Sequence, residues 1–254
     1  LHPDRPFSYY ESVVRQVRAA LPHADIKAFT PVEVVNFAKT EGTSVRDILR
    51  TLQAAGLSSL PGGGAEILSD RVRAIICPNK ATRAEWLDCM RTAHELGIRT
   101  NASMMYGHIE TVEERIDHLL ALRELQDETG GFQAFMLFPF HPENTALGAE
   151  KKLVRVGSWE DMKMLALSRL VLDNVAHFKA FWVMLTQPIA QLALGFGADD
   201  LDGTIGEEKI IHAAGAQTQT GITRRELDAM IREAGYVPVE RDTFYQPIAA
   251  GEGA

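Results

Sequence analysis

Cysteine is almost missing: Cys77 and Cys89 are the only two in 254 residues. Two thiols build no disulfide framework, and their scarcity points to a reducing, cytoplasmic setting. Neither a C-x-x-C pair nor an H-E-x-x-H helix is present, so no metal ligands are expected within the chain. Long apolar runs are absent as well; none approaches the roughly 18 residues of a membrane span. No secretory leader opens the sequence. Basic residues are outnumbered, 26 against 34 acidic, for a net charge of -8, and no basic stripe carries interleaved aromatics. Nucleic acid is therefore excluded as the main partner. Finally, there is no G-x-S-x-G nucleophile elbow.

What is present is 46% hydrophobic sequence, enough for a sizeable core. Short β-rich runs alternate with amphipathic helical runs. Helices are expected at 7–21, 31–39, 44–55, 65–76, 83–97, 112–128, 159–174, 188–196 and 224–234. Strands are expected at 24–30, 57–60, 98–105, 132–138, 177–183 and 199–204, with a short one near 236–239. About six βα steps imply a parallel sheet with right-handed crossovers, the pattern of an α/β barrel. Four T-x-x-E segments, at 30–33, 82–85, 111–114 and 223–226, read as capping boxes, which assigns Glu33, Glu85, Glu114 and Glu226 to helix starts. Glu66 and Glu110 fit no such box.

In a parallel barrel, ligands gather where strands end and helices begin. Four strand ends here are unusually polar or glycine-rich: "SLPGGGAE" (59–66), "NASMMYGHIE" (101–110), "FPFHPENT" (138–145) and "DLDGT" (200–204). Gly62, Gly63 and Gly64 either form a tight turn or let the backbone lie against a ligand. No G-K-S/T follows them, so they are not a phosphate P-loop. Glu66 is placed to accept hydrogen bonds from ribose hydroxyls. Strand alternation sets Asn101, Ser103 and Met105 on one face and Ala102, Met104 and Tyr106 on the other. His108 and His141, each at a strand end, are candidates for site roles, whereas His94, His118, His177 and His212 read as structural. No side-chain engine for catalysis stands out.

These segments, together with "LHPDRPFSYY", "ICPNKA", "LRELQDETGGFQAF", "DDLDGTI" and "VERDTFY", resemble the radical S-adenosylmethionine enzymes of the futalosine route to menaquinone, over residues 1–245. "DDLDGTI" and "VERDTFY" favour the aminofutalosine branch over cyclic dehypoxanthine futalosine synthase; deazaflavin-precursor enzymes share the pattern more distantly. The resemblance implies a TIM-type (β/α) barrel binding S-adenosylmethionine and a [4Fe-4S] cluster. It implies addition of a 5′-deoxyadenosyl radical to 3-[(1-carboxyvinyl)oxy]benzoate to give aminofutalosine, with flavodoxin or ferredoxin as electron donor. Such chemistry is the cofactor's, which accounts for the missing engine.

By position, Gly62, Gly63, Gly64, Glu66, Lys80, Asn101, Ser103 and Tyr106 would bind the cofactor. His141, Asp202 and His108 would serve catalysis, with His2 a further candidate. The family's cluster motif, C-x3-C-x2-C, is not matched by Cys77 and Cys89, because three closely spaced thiolates must reach one cluster. The expectation is a barrel whose first one or two βα units and cluster loop lie upstream of Leu1, followed by a flexible tail at 246–254. On that expectation the chain alone is inactive. A nucleoside-binding barrel without a cluster is the alternative from a different functional class.

Overall fold

The structure, a computed structural model, describes residues 1–2, 4–205, 208–216, 218 and 221–248. The chain divides into two compact units, residues 1–103 with 112–132, and residues 104–111 with 133–254.

In the first unit, α1 (Phe7–Ala20), α2 (Pro31–Glu41) and α3 (Val45–Ala55) precede β1 (Ser59–Leu60). α3 shows why the sequence folds locally. Ile48, Leu49, Leu52 and Ala55 fall on one face and are buried, Ser44 accepts from the Asp47 N–H to cap the start, and Gly56 at φ +118° ends it. After β1 come α4 (Asp70–Ile76), α5 (Arg83–Glu95), β2 (Arg99–Tyr106) and α6 (Val112–Thr129). β1 pairs with β2 in parallel, Ser59 opposite Arg99 and Leu60 opposite Thr100. A parallel bridge joins Lys27 to Ser59, so the run at 24–30 contributes one bridge position among the described residues. The core packs α2, α3 and α5 against β1 through Val34, Phe37, Leu49, Leu52, Leu60 and Ala93. Each fully buried leucine there stabilises the fold by about 2 kcal/mol.

In the second unit, the end of β2 is followed by β3 (Phe132–Pro139), α7 (Ala146–Lys151), α8 (Ser158–Val171) and β4 (His177–Lys179). β3 and β4 pair in parallel, Ala134 opposite His177 and Met136 opposite Lys179, and the strand order is β1-β2-β3-β4. Lys179 bridges Asp200, again in parallel, so the run at 199–204 contributes one bridge position. α9 (Trp182–Leu185), α10 (Gln187–Ala193), a 3-10 turn (Leu194–Phe196), α11 (Ile210–Ala214) and α12 (Arg224–Glu233) complete the unit.

Four expectations need correction. The strand at 177–183 stops at Lys179 because Trp182 begins α9, and the helix at 65–76 starts only at Asp70, capped by Ser69. Residues 236–239 form no strand; the nearby pairing is an antiparallel bridge from Arg241 to Pro247. β1 is two residues long. Of the segment 246–254, residues 249–254 lie outside the described residues. Among the described residues no helix is long and apolar enough to cross a membrane.

Candidate functional site

The GGGAE loop leaves β1 and runs beside β2. Each of its glycines has a protein neighbour where a side chain would stand. A Cβ on Gly62 would lie 2.7 Å from the Asn101 carbonyl oxygen, one on Gly63 2.9 Å from a Thr30 methyl, and one on Gly64 2.4 Å from a Val32 methyl. Gly64 also sits at φ +80°, where L-residues are strained. The triple glycine is thus accounted for by close packing against β2 and the start of α2. A ligand is not needed to explain it.

Glu66 follows at φ +44°, an unusual conformation for a residue with a Cβ. Its carboxylate pairs with the Lys80 ammonium at 2.5 Å, so the acid and the base expected to act separately form one ion pair. The Lys80 N–H donates to the Cys77 carbonyl, which ties the "CPNKA" turn to the same place. Ser103 donates its hydroxyl proton to the Gly62 carbonyl at 2.8 Å and so anchors the loop. Asn101, 2% exposed on β2, carries an Oδ1 with no hydrogen-bond partner among the described residues. Sequence reasoning missed Arg73, which is 4% exposed and donates to carbonyls of Gly64, Ala65, Ile67 and Ala81.

In the second unit, Tyr106 is fully buried, with its hydroxyl donating to Asp161 at 2.5 Å. Asp161 also accepts from Arg155 at 3.0 Å, and Arg155 reaches the Met184 carbonyl. His141 donates through Nε2 to that same carbonyl at 3.1 Å. Burial, partly offset by this hydrogen bond, holds its imidazole below the usual histidine range, so Nδ1 is an unprotonated acceptor at neutral pH. His108 and Glu110 have fully enclosed side chains 2.8 Å apart. Burial opposes a charge on Glu110, but His108 and the N–H groups of Gly107 and His108 outweigh it and bring the carboxyl down to about 2. That pair fixes the turn after β2.

Asp202 stands at φ +68° in a charged group that joins the two motifs "DDLDGTI" and "VERDTFY". Lys179, 7% exposed at the end of β4, pairs with it. Arg241 approaches Asp202 at 3.9 Å and pairs with Asp200 at 2.6 Å, and Asp200 accepts the Asp202 N–H at 2.6 Å. Burial opposes the charge on Asp200, yet Arg241 and Lys179 hold its carboxyl below the usual range. Tyr245 stacks on His177 at 4.1 Å and lies under Arg241 at 4.3 Å. Beside this group is a cavity of about 580 Å³, lined among others by Leu201, Leu227, Ile231 and Val239. His2 is an exposed residue near the start of the chain, hydrogen-bonded to Tyr10.

The cysteines do not fit an iron–sulfur cluster. Cys89 is fully buried, which pushes its thiol up to about 12, and burial raises Cys77 as well. No group of three or more His, Cys, Asp or Glu side chains positioned for a metal occurs among the described residues.

Residues 8–122 match the radical SAM superfamily, and residues 129–252 match the CofH/MqnC C-terminal region. The chain is 48% identical, over 97% of its length and 67% of the relative's, to aminodeoxyfutalosine synthase of Thermus thermophilus. It is 44% identical, over 98% of its length and 67% of the relative's, to 5-amino-6-(D-ribitylamino)uracil--L-tyrosine 4-hydroxyphenyl transferase 1 of Methanosarcina barkeri. That second similarity is nearer than the motif resemblance implies. The crystal structure of HydG, a maturase of the [FeFe]-hydrogenase, shares the fold with a TM-score of 0.61 at 15% identity, over 94% of this chain and 51% of that one. The chain spans about two thirds of the length of the curated relatives it matches. It belongs to the radical S-adenosylmethionine superfamily of (β/α)-barrel enzymes, in the family that contains aminodeoxyfutalosine synthase.

Proposed function

We propose that this chain carries the S-adenosylmethionine and substrate sites of an aminodeoxyfutalosine synthase acting in menaquinone biosynthesis, joining a 5′-deoxyadenosyl group to 3-[(1-carboxyvinyl)oxy]benzoate. The observation that carries the reading is 48% identity to a relative of that name along 97% of the chain. S-adenosylmethionine, when bound, supplies the adenosyl group. Cys77 and Cys89 do not fit a [4Fe-4S] cluster, so its ligands belong outside these residues and no step is derived through it. Flavodoxin or ferredoxin is the class of electron donor that such an enzyme requires.

The residues present fit S-adenosylmethionine. Glu66 is an acceptor for its ribose hydroxyl or ammonium donors, with Lys80 holding the carboxylate in place. The Asn101 Oδ1, without a partner among the described residues, is a second buried acceptor on the adjoining strand. In the second unit, His141 offers an unprotonated Nδ1 to take a proton, its ring fixed by the Met184 carbonyl. Asp202, held between Lys179 and Arg241, is a fixed negative charge for orienting the substrate.

A second reading has support in the 44% identity to the tyrosine 4-hydroxyphenyl transferase. One assay separates the two. The full-length protein, reconstituted anaerobically and reduced, is given S-adenosylmethionine with either the enol ether benzoate or tyrosine plus 5-amino-6-ribitylaminouracil. Aminodeoxyfutalosine in the first mixture alone is the expected result. Product in the second mixture alone would overturn it.

A further inference from the structure

His141, just past the end of β3, has one ring nitrogen committed and one free. Its Nε2 lies 3.1 Å from the Met184 carbonyl oxygen. A carbonyl can only accept, so the ring proton sits on Nε2 and the neutral ring presents Nδ1 as an acceptor. Nδ1 has no hydrogen-bond partner among the described residues. The tautomer therefore depends on what keeps the Met184 carbonyl in place. That carbonyl belongs to α9, a helix of four residues, and it accepts no backbone N–H among the described residues. Its donors are two side chains, His141 and Arg155.

Arg155 reaches the carbonyl at 3.5 Å, and its guanidinium is itself held from other directions. It donates to the Val156 carbonyl and, at 3.0 Å, to Asp161 Oδ2 in the first turn of α8. Asp161, 2% exposed, accepts the Tyr106 hydroxyl on its other oxygen. Gly107 admits the segment that carries Arg155, since a Cβ there would stand 2.9 Å from a Val156 methyl. An ion pair as buried as this one adds little net stability over apolar residues of the same size. What it does is place one cation beside the carbonyl that His141 uses. Burial is the first reason that the His141 ring resists a proton; Arg155 adds to it, while Glu143 and Asp161, the other charges facing the ring, oppose it.

We propose that Arg155, braced by Asp161 and Tyr106, is a positioning residue: it pins the Met184 carbonyl and with it the His141 tautomer that leaves Nδ1 free to accept a proton. This rests on the reading of His141 as a proton acceptor given above. Arg155 acts through the carbonyl and is not itself the acceptor.

The test uses the full-length protein, isotope-labelled at the histidine ring nitrogens, with the His141 resonances assigned by their loss in His141→Gln. In the unaltered protein the ring is expected as the single Nε2–H tautomer at neutral pH. Arg155→Met should let the second tautomer appear and raise the titration midpoint of the ring by about one pH unit. Asp161→Asn keeps an acceptor for Tyr106 and Arg155 but removes the negative charge, so it should keep the tautomer and lower the midpoint by about half a pH unit. A general loosening of the fold would admit water and raise the midpoint in both variants, so the opposite signs are what positioning alone produces. An unchanged tautomer in Arg155→Met, or midpoints that rise in both variants or move in neither, would overturn the proposal. If Arg155→Met does not fold, the downward shift in Asp161→Asn decides alone. Product formation followed against pH should lose activity on the acid side in step with the His141 midpoint of each variant. Midpoints that move as expected while the acid side of that profile stays fixed would instead overturn the assignment of His141 as the proton acceptor.

Discussion

Asp202 occupies a left-handed backbone conformation that costs an L-residue roughly 1–2 kcal/mol, and asparagine tolerates it best among non-glycine residues. Asp202→Asn therefore separates charge from backbone geometry. The expected outcome is a folded protein with an unfolding midpoint within a few degrees of the parent and product formation lowered by about tenfold or more. Unchanged turnover would remove Asp202 from the site. Arg241→Met acts differently, because it leaves the Asp200 carboxylate, 8% exposed, without its cation. It should destabilise the fold by about 2–4 kcal/mol, and Asp200→Asn in the same chain should recover part of that loss, as coupled neighbours do. A parallel contrast applies to two glutamates. Glu66→Gln breaks the Lys80 pair beside the proposed cofactor, while Glu114 holds Ser69 and Arg71 at the start of α4. Calorimetry should find S-adenosylhomocysteine binding weakened severalfold by Glu66→Gln and little changed by Glu114→Gln; equal effects would reduce GGGAE to a turn. At this scale the sequence exposes which residues are unusual but not what they touch. The three glycines are plain to see, yet Thr30 and Val32, which require two of them, come from another strand-to-helix turn. Arg73 is silent because an arginine on a short helix carries no sign that it will be buried. The Tyr106–Asp161 bond is equally hidden, because its partners are 55 positions apart.

Helices are the elements that sequence describes best, because their caps are local. Thr30, Thr82 and Thr223 each form the reciprocal box with a glutamate three residues on, and the helices start where those boxes place them. Thr82→Ala should cost about 1 kcal/mol by denaturant titration, since it orphans an N–H at the start of α5. A cost below a few tenths would mean that Lys39, paired with Glu85, already holds that end. Strands are described less well. The runs at 24–30 and 199–204 have the right composition but contribute one bridge each, at Lys27 and Asp200. Strand extent depends on partners far along the chain, and β-propensity measures fit to those neighbours more than any backbone preference. The apolar run at 177–183 fails for a related reason, because a buried strand and a buried helix turn share one hydrophobic pattern until Trp182 finds its place under the Gly203 carbonyl.

For the molecule as a whole, acid should be the sharpest stress, and the sign follows from two histidines that read as structural. His94 bonds Thr129 and Thr100 through its two ring nitrogens, and burial, with Arg99 nearby, lowers its imidazole to about 4. His118 accepts the Leu68 N–H and is lowered by burial to about 3. Unfolded histidine titrates near 6.5, so between that pH and about 4 the unfolded chain binds protons that the folded chain refuses, and stability falls with pH. Each histidine should cost about 2 kcal/mol between pH 6.5 and pH 5. Glu110 has the opposite relation to its window. Its folded carboxyl titrates near 2, so its contribution is complete above about 4.5 and is lost only as pH falls from there toward 2. Thermal midpoints recorded from pH 7.5 to pH 4 should therefore start to fall near pH 6.5, well before any carboxylate is protonated. His94→Leu should flatten that early decline while lowering the midpoint at pH 7.5, because it also deprives Thr100 and Thr129 of their partner. An onset only below pH 4.5, unaffected by this substitution, would mean that carboxylates such as Glu110 govern the acid limit and that the buried histidines do not.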